Sequence, residues 1–272
     1  MRSRASEWEY RGRWALVTGA SAGIGAVMAE RLAARGMTLV LTARRIERLE
    51  EMKIRLRRDC GVEIVPVAQD LLQEGAAVRL WKGATDGRRI DLLVNNAGFG
   101  TRGLFHEVPL ERHLDILRVN STVLMELTHL ALRDMRADGG GGIINVSSIA
   151  AFQPVPHLAT YAASKAFVLS LTQAIWAENR DVGIRVVALC PGRTPTEFQA
   201  VAGTGSAEGA FGFRTPEQVV DAALRALERD RIVEIPGFEN RAASWAVRAL
   251  PGSALIRIMR TVVRRFWKEP AR

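Results

Sequence analysis

The run Trp14-Ala15-Leu16-Val17-Thr18-Gly19-Ala20-Ser21-Ala22-Gly23-Ile24-Gly25 carries a short apolar, strand-like segment straight into a glycine-rich turn, and a helical pattern follows from Ala26 to Arg35. Glycines permit the tight turn and let backbone amides approach a pyrophosphate at the helix N-terminus, where the helix dipole favours an anion. The spacing is Gly-x-x-x-Gly-x-Gly, not the general Gly-x-Gly-x-x-Gly fingerprint. Taken alone, the turn reads equally well as structural.

Working outward, short β-favouring runs recur at Thr38 to Thr42, Glu63 to Ala68, Asp91 to Asn95, Gly142 to Ser147, Ile184 to Cys190 and Ile232 to Ile235. Between them lie helix-length segments such as Ile46 to Arg58, Leu110 to Arg136 and Ala162 to Arg180. Seven strands separated by crossovers predict an α/β fold, a doubly wound parallel sheet with helices on both faces. In such a sheet ligands bind beyond the carboxyl ends of the strands.

A chain of 272 residues that is 48% apolar can bury one large core. Residues 1–12 read as a flexible segment, 13–237 as the catalytic domain, and 238–272 as a basic amphipathic helical extension packed on it. No run of about eighteen uncharged apolar residues predicts a spanning helix, and Met1 to Arg11 lacks the apolar stretch of an export signal. Cys60 and Cys190, the only cysteines, are too few for a disulfide framework or thiolate metal site. A cytoplasmic protein without a metal is expected. The net charge of +9 resembles a nucleic-acid signal until it is located: from Asn240 to Arg272 eight basic residues face one acid, leaving the other 239 residues with +2. No nucleic-acid-binding module accompanies that charge, so no nucleic-acid partner is expected.

Tyr161 and Lys165 stand four residues apart on a predicted helix, which places a phenol beside an ammonium on one face. A nearby positive charge lowers a tyrosine pKa toward the working range of an acid/base catalyst. Ser148 follows a strand end, and Asn120 lies in a helix. Read singly, Ser148 fits a loop residue bonded to backbone and Asn120 an exposed helix face.

With Asn95-Asn96-Ala97-Gly98 after the fourth strand and Pro191-Gly192 after the sixth, these ordered motifs resemble the classical short-chain dehydrogenase/reductase family over about Arg13 to Ile235. The resemblance implies a Rossmann-like fold and an oxidoreductase that interconverts a carbonyl and an alcohol. It implies Tyr161 as the acid/base and Lys165 as tuner of its pKa and donor to the nicotinamide ribose. Ser148 would polarise the substrate carbonyl, and Asn120 would position a relay water. Gly19, Ser21, Ala22, Gly23, Ile24 and Gly25, with Asn96, Ala97, Gly98, Pro191, Gly192, Thr194 and Thr196, would line the cofactor. Asp70 resembles the family's adenine-side acid; it also fits the start of a turn. The tail resembles those of a bacterial branch whose members mostly have no assigned substrate.

The second strand ends in Leu41-Thr42-Ala43-Arg44-Arg45, without the carboxylate that NAD-preferring enzymes of this fold place there. Guanidinium geometry suits a 2′-phosphate, so NADP(H) is expected, with Arg44 as the main contact and Arg45 as second. Arg45 also fits the start of a solvated helix beside Glu47 and Arg48. Phe99, Phe152, His157 and Phe198 are the substrate-pocket candidates. Phe198, Phe211 and Phe213 fall between Arg193 and the helix start Thr215-Pro216-Glu217-Gln218, a capping box with proline at N1. This stretch reads either as a lid over an apolar substrate or as a surface loop with docked aromatics.

Leu255, Ile256, Ile258, Met259, Val262, Val263 and Phe266 recur at helical spacing beside Arg257, Arg260 and Arg264, flanked by Trp245 and Trp267. Such a tail either covers the core or a subunit interface, or lies on an anionic membrane surface. The expected partners are a small carbonyl or alcohol substrate and further copies of the chain, as homodimer or homotetramer. The alternative function is a peripheral membrane or scaffold protein that uses NADPH as a structural or sensing ligand.

Overall fold

A computed structural model describes residues 8–203 and 212–266. Seven parallel strands form one sheet: β1 (Trp14–Thr18), β2 (Thr38–Ala43), β3 (Ile64–Ala68), β4 (Ile90–Asn95), β5 (Gly141–Val146), β6 (Ile184–Leu189) and β7 (Val233–Glu234). Their order is β3-β2-β1-β4-β5-β6-β7, and every pairing is parallel. The chain winds outward from β1 in both directions, so the crevice opens between β1 and β4, where the strand order reverses.

Alternation along each strand divides the core. Ala15 and Val17 join one buried cluster with α1 (Gly23–Ala33), α2 (Ile46–Cys60) and α8 (Pro216–Glu228). Leu16 points the other way, into a cluster with α3 (Ala76–Ala84), α5 (Leu124–Ala137) and α6 (Ala159–Asn179). Strands β4, β5 and β6 are buried along their whole length, as a sheet covered on both faces requires. The capping box expected at Thr215 is present, with Gln218 N bonded to Thr215 Oγ1 at 3.3 Å.

Three expectations change. The helix read as Leu110 to Arg136 is divided into α4 (Leu110–Leu117) and α5 by a π-helical turn at Arg118–Val123, which brings Asn120 to complete burial. Helix α3 has no counterpart among the predicted segments. The segment read as flexible up to residue 12 is packed from Trp8 onward: Trp8 is 8% exposed, and a Cβ added at Gly142 would stand 2.6 Å from its ring. Arg13 and Arg185 guanidinium carbons lie 5.4 and 5.5 Å from that ring, and Tyr10 donates to Glu228 at 2.9 Å. A large aromatic gains more by covering the glycines of β5 than by hydration, so it pins the segment.

After β7 the tail forms α9 (Phe238–Ala249) and α10 (Gly252–Phe266), divided at Pro251-Gly252 as the sequence predicts. Asn240, Ser244 and Leu255 are buried, while Phe238 and Trp245 are 75% and 70% exposed. Trp267 lies outside the described residues. No helix among the described residues is long and apolar enough to cross a membrane.

Replacing Trp8 should test the corrected boundary. Trp8→Ala is expected to cost about 3 kcal/mol or more, measured as a shift in urea unfolding; a loss below about 1 kcal/mol would return the segment to the flexible class.

Candidate active site

The glycine turn is built by its neighbour across the crevice. Asn96 Nδ2 donates to Thr18 O at 2.9 Å and Gly19 O at 3.1 Å, while Thr18 Oγ1 accepts from the amides of Asn96 and Ala97, each at 3.0 Å. Gly19 sits at φ +66, and a Cβ there would stand 2.9 Å from Ala97 Cα. A Cβ on Gly25 would run into Gly19 O, so these two glycines are sterically required. The N-cap of α1 is Ala22, which offers no side-chain acceptor to the first helical amides. Uncapped amides at a helix start are the donor set a pyrophosphate takes.

These turns form one end of a cavity of about 620 Å³. Among the predicted cofactor residues, Gly25 alone is absent from its wall; it acts beneath, through the turn. Arg44 is exposed on the wall with no ion-pair partner among the described residues. Arg45 is engaged elsewhere: it donates to Ser21 Oγ at 3.0 Å and Glu197 at 2.8 Å, and Arg48 joins Glu197 at 2.6 Å. These bonds hold the Glu197 carboxyl below the usual carboxylate range. Asp70 also lines the cavity, where its Oδ1 accepts from Leu72 N at 3.0 Å.

At the other end α6 presents Tyr161 and Lys165 from one face, as the four-residue spacing predicts. Lys165 is 4% exposed; its Nζ donates to Val146 O at 2.8 Å and lies 5.8 Å from the Tyr161 ring centre. Burial pushes the Tyr161 phenol up to about 12, with hydrogen bonding to Ser148 acting in the opposite direction. Burial pushes Lys165 down to about 8. The downward pull expected from Lys165 is not seen in this arrangement: desolvation dominates, and Ser148 is the group that lowers the phenol. Ser148 Oγ also accepts from Ala150 N at 3.1 Å and so caps the 3₁₀ turn Ile149–Phe152.

Asn120 stands behind the wall. Its Oδ1 accepts from Phe99 N at 3.0 Å, and its Nδ2 donates to Phe99 O at 2.9 Å and Ser164 Oγ at 3.1 Å. A Cβ on Gly98 would lie 2.9 Å from Asn120 Oδ1 and 3.4 Å from Lys165 Nζ, so only that glycine separates the amide from the ammonium.

Beside Tyr161 the cavity is lined by Phe99, Phe198 and residues not foreseen. Phe198 belongs to α7 (Glu197–Ala202), which starts at a second capping box, Thr196 with Gln199, and its ring centre lies 5.2 Å from that of Tyr161. That Thr-x-x-Gln pattern was visible in the sequence and was the missed sign of a helix. Val155, Leu158, Val201 and, from α10, Met259 complete an apolar wall. The helical stripe of the tail was the signal for Met259, although its target was not. Phe152 and His157 are not brought to the wall. Phe152 packs into a small buried cluster beneath Arg248, 5.4 Å away, and His157 occupies a left-handed turn position at φ +64. Phe213 is also absent from the wall, and Phe211 lies outside the described residues.

Comparison with known proteins agrees with this arrangement. The family profile for short chain dehydrogenase matches residues 13–206. The 7beta-hydroxysteroid dehydrogenase of Collinsella aerofaciens is 32% identical over 236 residues, covering 86% of this chain and 89% of that protein. A short-chain dehydrogenase from Sphingobium yanoikuyae, solved in complex with NADPH, superposes with a TM-score of 0.80 at 33% identity, over 96% of this chain and 98% of that one. The bulky-bulky ketone specific alcohol dehydrogenase from Comamonas testosteroni gives 0.76 at 30% identity, over 96% and 97%. With the turn, the crevice and the Tyr161–Lys165 face in place, the chain belongs to the short-chain dehydrogenase/reductase family and is an NAD(P)-dependent oxidoreductase.

Proposed function

We propose that the enzyme interconverts a bulky apolar ketone and its secondary alcohol, with NADP(H) as cofactor and Tyr161 as acid/base. The observation that carries this reading is the convergence of Tyr161, Ser148 and Lys165 on the wall of one cavity, with the Phe198 ring centre 5.2 Å from that of Tyr161. A bound nicotinamide cofactor supplies or accepts the hydride. In the reducing direction Tyr161 gives its proton to the carbonyl oxygen as that oxygen gains negative charge, and Ser148 orients the same oxygen. Lys165, cationic below about pH 8, stabilises the resulting phenolate from the same helix face. Asn120 acts as a positioning residue that holds the Phe99 backbone beside Lys165. The meeting of these groups in one cavity argues for catalysis over a scaffold that merely senses NADPH.

Substrate class follows from the wall. Val155, Leu158, Phe198, Val201 and Met259 form its apolar part, which suits a substrate with hydrocarbon on both sides of the carbonyl. The relatives named for steroid and bulky ketone substrates support the same size class. For the cofactor, Arg44 is the guanidinium left uncommitted at the end of β2, where a 2′-phosphate would be held bidentately.

Self-association is proposed through α4 and α6. Leu110, Leu114 and Leu117 share one face at helical spacing and are 63%, 55% and 40% exposed, and Phe167 on α6 is 40% exposed. On α6, exposed Ala163, Phe167, Ser170 and Ala174 form an uncharged stripe, which an isolated helix in water would not favour. A second copy presenting the same faces is the occupant that covers both.

Three outcomes test the proposal. Tyr161→Phe is expected to abolish reduction of a bulky-ketone panel followed by NADPH absorbance, while NADPH fluorescence titration stays unchanged; retained turnover removes Tyr161 from its role. Arg44→Ala should weaken NADPH about tenfold or more with little change for NADH, since one charged hydrogen-bond pair is worth roughly 1.5–3 kcal/mol; equal losses would assign the 2′-phosphate elsewhere. Leu114→Glu should shift the mass measured by light scattering to that of a monomer, and an unchanged oligomer would exclude this face.

A further inference from the structure

A second cavity, of about 370 Å³, shares no lining residue with the cofactor cleft. It lies between the outer edge of α8, the end of β7 and the first turn of α9. Five arginines converge on it: Arg214, Arg225, Arg229, Arg231 and Arg241. Two are neutralised, Arg214 by Glu239 at 2.6 Å and Arg231 by buried Glu234 at 3.3 Å. Arg225, Arg229 and Arg241 have no ion-pair or hydrogen-bonding side-chain partner among the described residues, so the cavity holds three uncompensated cations. Gln218 uses its carbonyl on Thr215 N at 3.2 Å, which leaves its amide nitrogen as a further donor.

Helix electrostatics account for only part of this cluster. Arg225 and Arg229 stand at the C-terminal end of α8, where a cation is favoured. Arg241 stands in the first turn of α9, where the dipole opposes a cation, and Arg214 and Arg231 come from loops that could point elsewhere. Like charges gathered around one concave, almost wholly polar wall repel one another unless an anion joins them.

We propose that this cavity is a binding site for a phosphate-bearing anion, separate from the cofactor cleft. Guanidinium forks match phosphate oxygens in geometry as well as charge, and several converging forks suit a dianion or diphosphate better than a single carboxylate. The volume admits a phosphate ester with part of the group it is attached to. The chemistry is shared by a small soluble phosphate and by the headgroup of an anionic lipid. The neighbouring surface is compatible with either source: Phe238, Arg241 and Trp245 lie at i, i+3 and i+7 on α9, with both aromatics exposed.

The test uses the full chain saturated with NADPH, so that the cofactor cleft takes no probe. Inorganic pyrophosphate is titrated calorimetrically at fixed ionic strength, and flotation is measured with vesicles of phosphatidylcholine alone and with added phosphatidylglycerol. The Arg225→Gln/Arg229→Gln pair and, separately, Arg241→Gln should keep the wild-type melting temperature and NADPH affinity, because all three side chains are exposed. A soluble ligand is indicated by saturable pyrophosphate binding that weakens about tenfold per arginine removed. A lipid headgroup is indicated by flotation that requires phosphatidylglycerol and is lost in the same variants. Absence of both, or binding that the folded variants retain in full, overturns the site.

Discussion

The crossing of two turns, after β1 and after β4, is the constraint on which the rest of the molecule depends. Asn96 reaches back to the carbonyls of Thr18 and Gly19, and Thr18 receives the next two amides of the partner turn. These four bonds satisfy backbone groups that strand ends would otherwise leave bare inside a crevice. They also hold the turns so close that neither Gly19 nor Gly25 can carry a side chain. A sheet that reverses its winding between β1 and β4 opens there by topology; the lacing makes the opening a rigid cradle. The amides of α1 then point at a fixed place instead of a loop's average position.

The same economy of space governs the proton site. Tyr161 and Lys165 are held by a long helix packed against β6, Lys165 buried and Tyr161 partly so, and desolvation moves their pKa values in opposite senses: the phenol upward and the ammonium downward. The two values move apart, to about 12 and about 8, from ordinary values that lie close together with the ammonium slightly the higher, so their order is reversed. Burial alone therefore favours the protonated phenol, the form that donates.

Much of this was legible before any coordinates. All seven strands lie within one residue of their predicted bounds at each end, because buried parallel strands leave unbroken apolar runs. The four-residue spacing of Tyr161 and Lys165 was equally plain, as helical periodicity is local. The π-helical turn at Asn120 was not, since it arises when a buried amide takes up both backbone groups of Phe99, a contact twenty-one residues away in sequence. Trp8 was misread for a related reason: a lone aromatic in a polar segment has no period, and its partners Gly142 and Arg185 are remote. Phe152 and His157 were placed in the pocket by proximity to Ser148, yet proximity along the chain does not set direction. The 3₁₀ turn capped by Ser148 carries Phe152 into a separate cluster, and Gln153, Val155 and Leu158 reach the cavity instead.

The tail shows how one amphipathic pattern can serve two surfaces. Leu255 is buried and Met259 lines the cavity, so one face of α10 is turned toward the domain. That face accounts for only part of the apolar content: Ile256 and Ile258 stay 40% and 48% exposed, and α9 holds Phe238 and Trp245 outward. Buried Asn240 explains how α9 keeps this position. Its amide donates to Gly212 O and Pro236 O, both at 2.8 Å, and Gly192 packs against it, so the end of the loop after β6, the end of β7 and the start of the tail share one buried anchor. The tail is thereby tied to the Pro191-Gly192 turn of the cofactor cleft on one side and presents its aromatics and arginines on the other. A single polar residue of no evident periodic value thus ties the Pro191-Gly192 turn to the start of the tail.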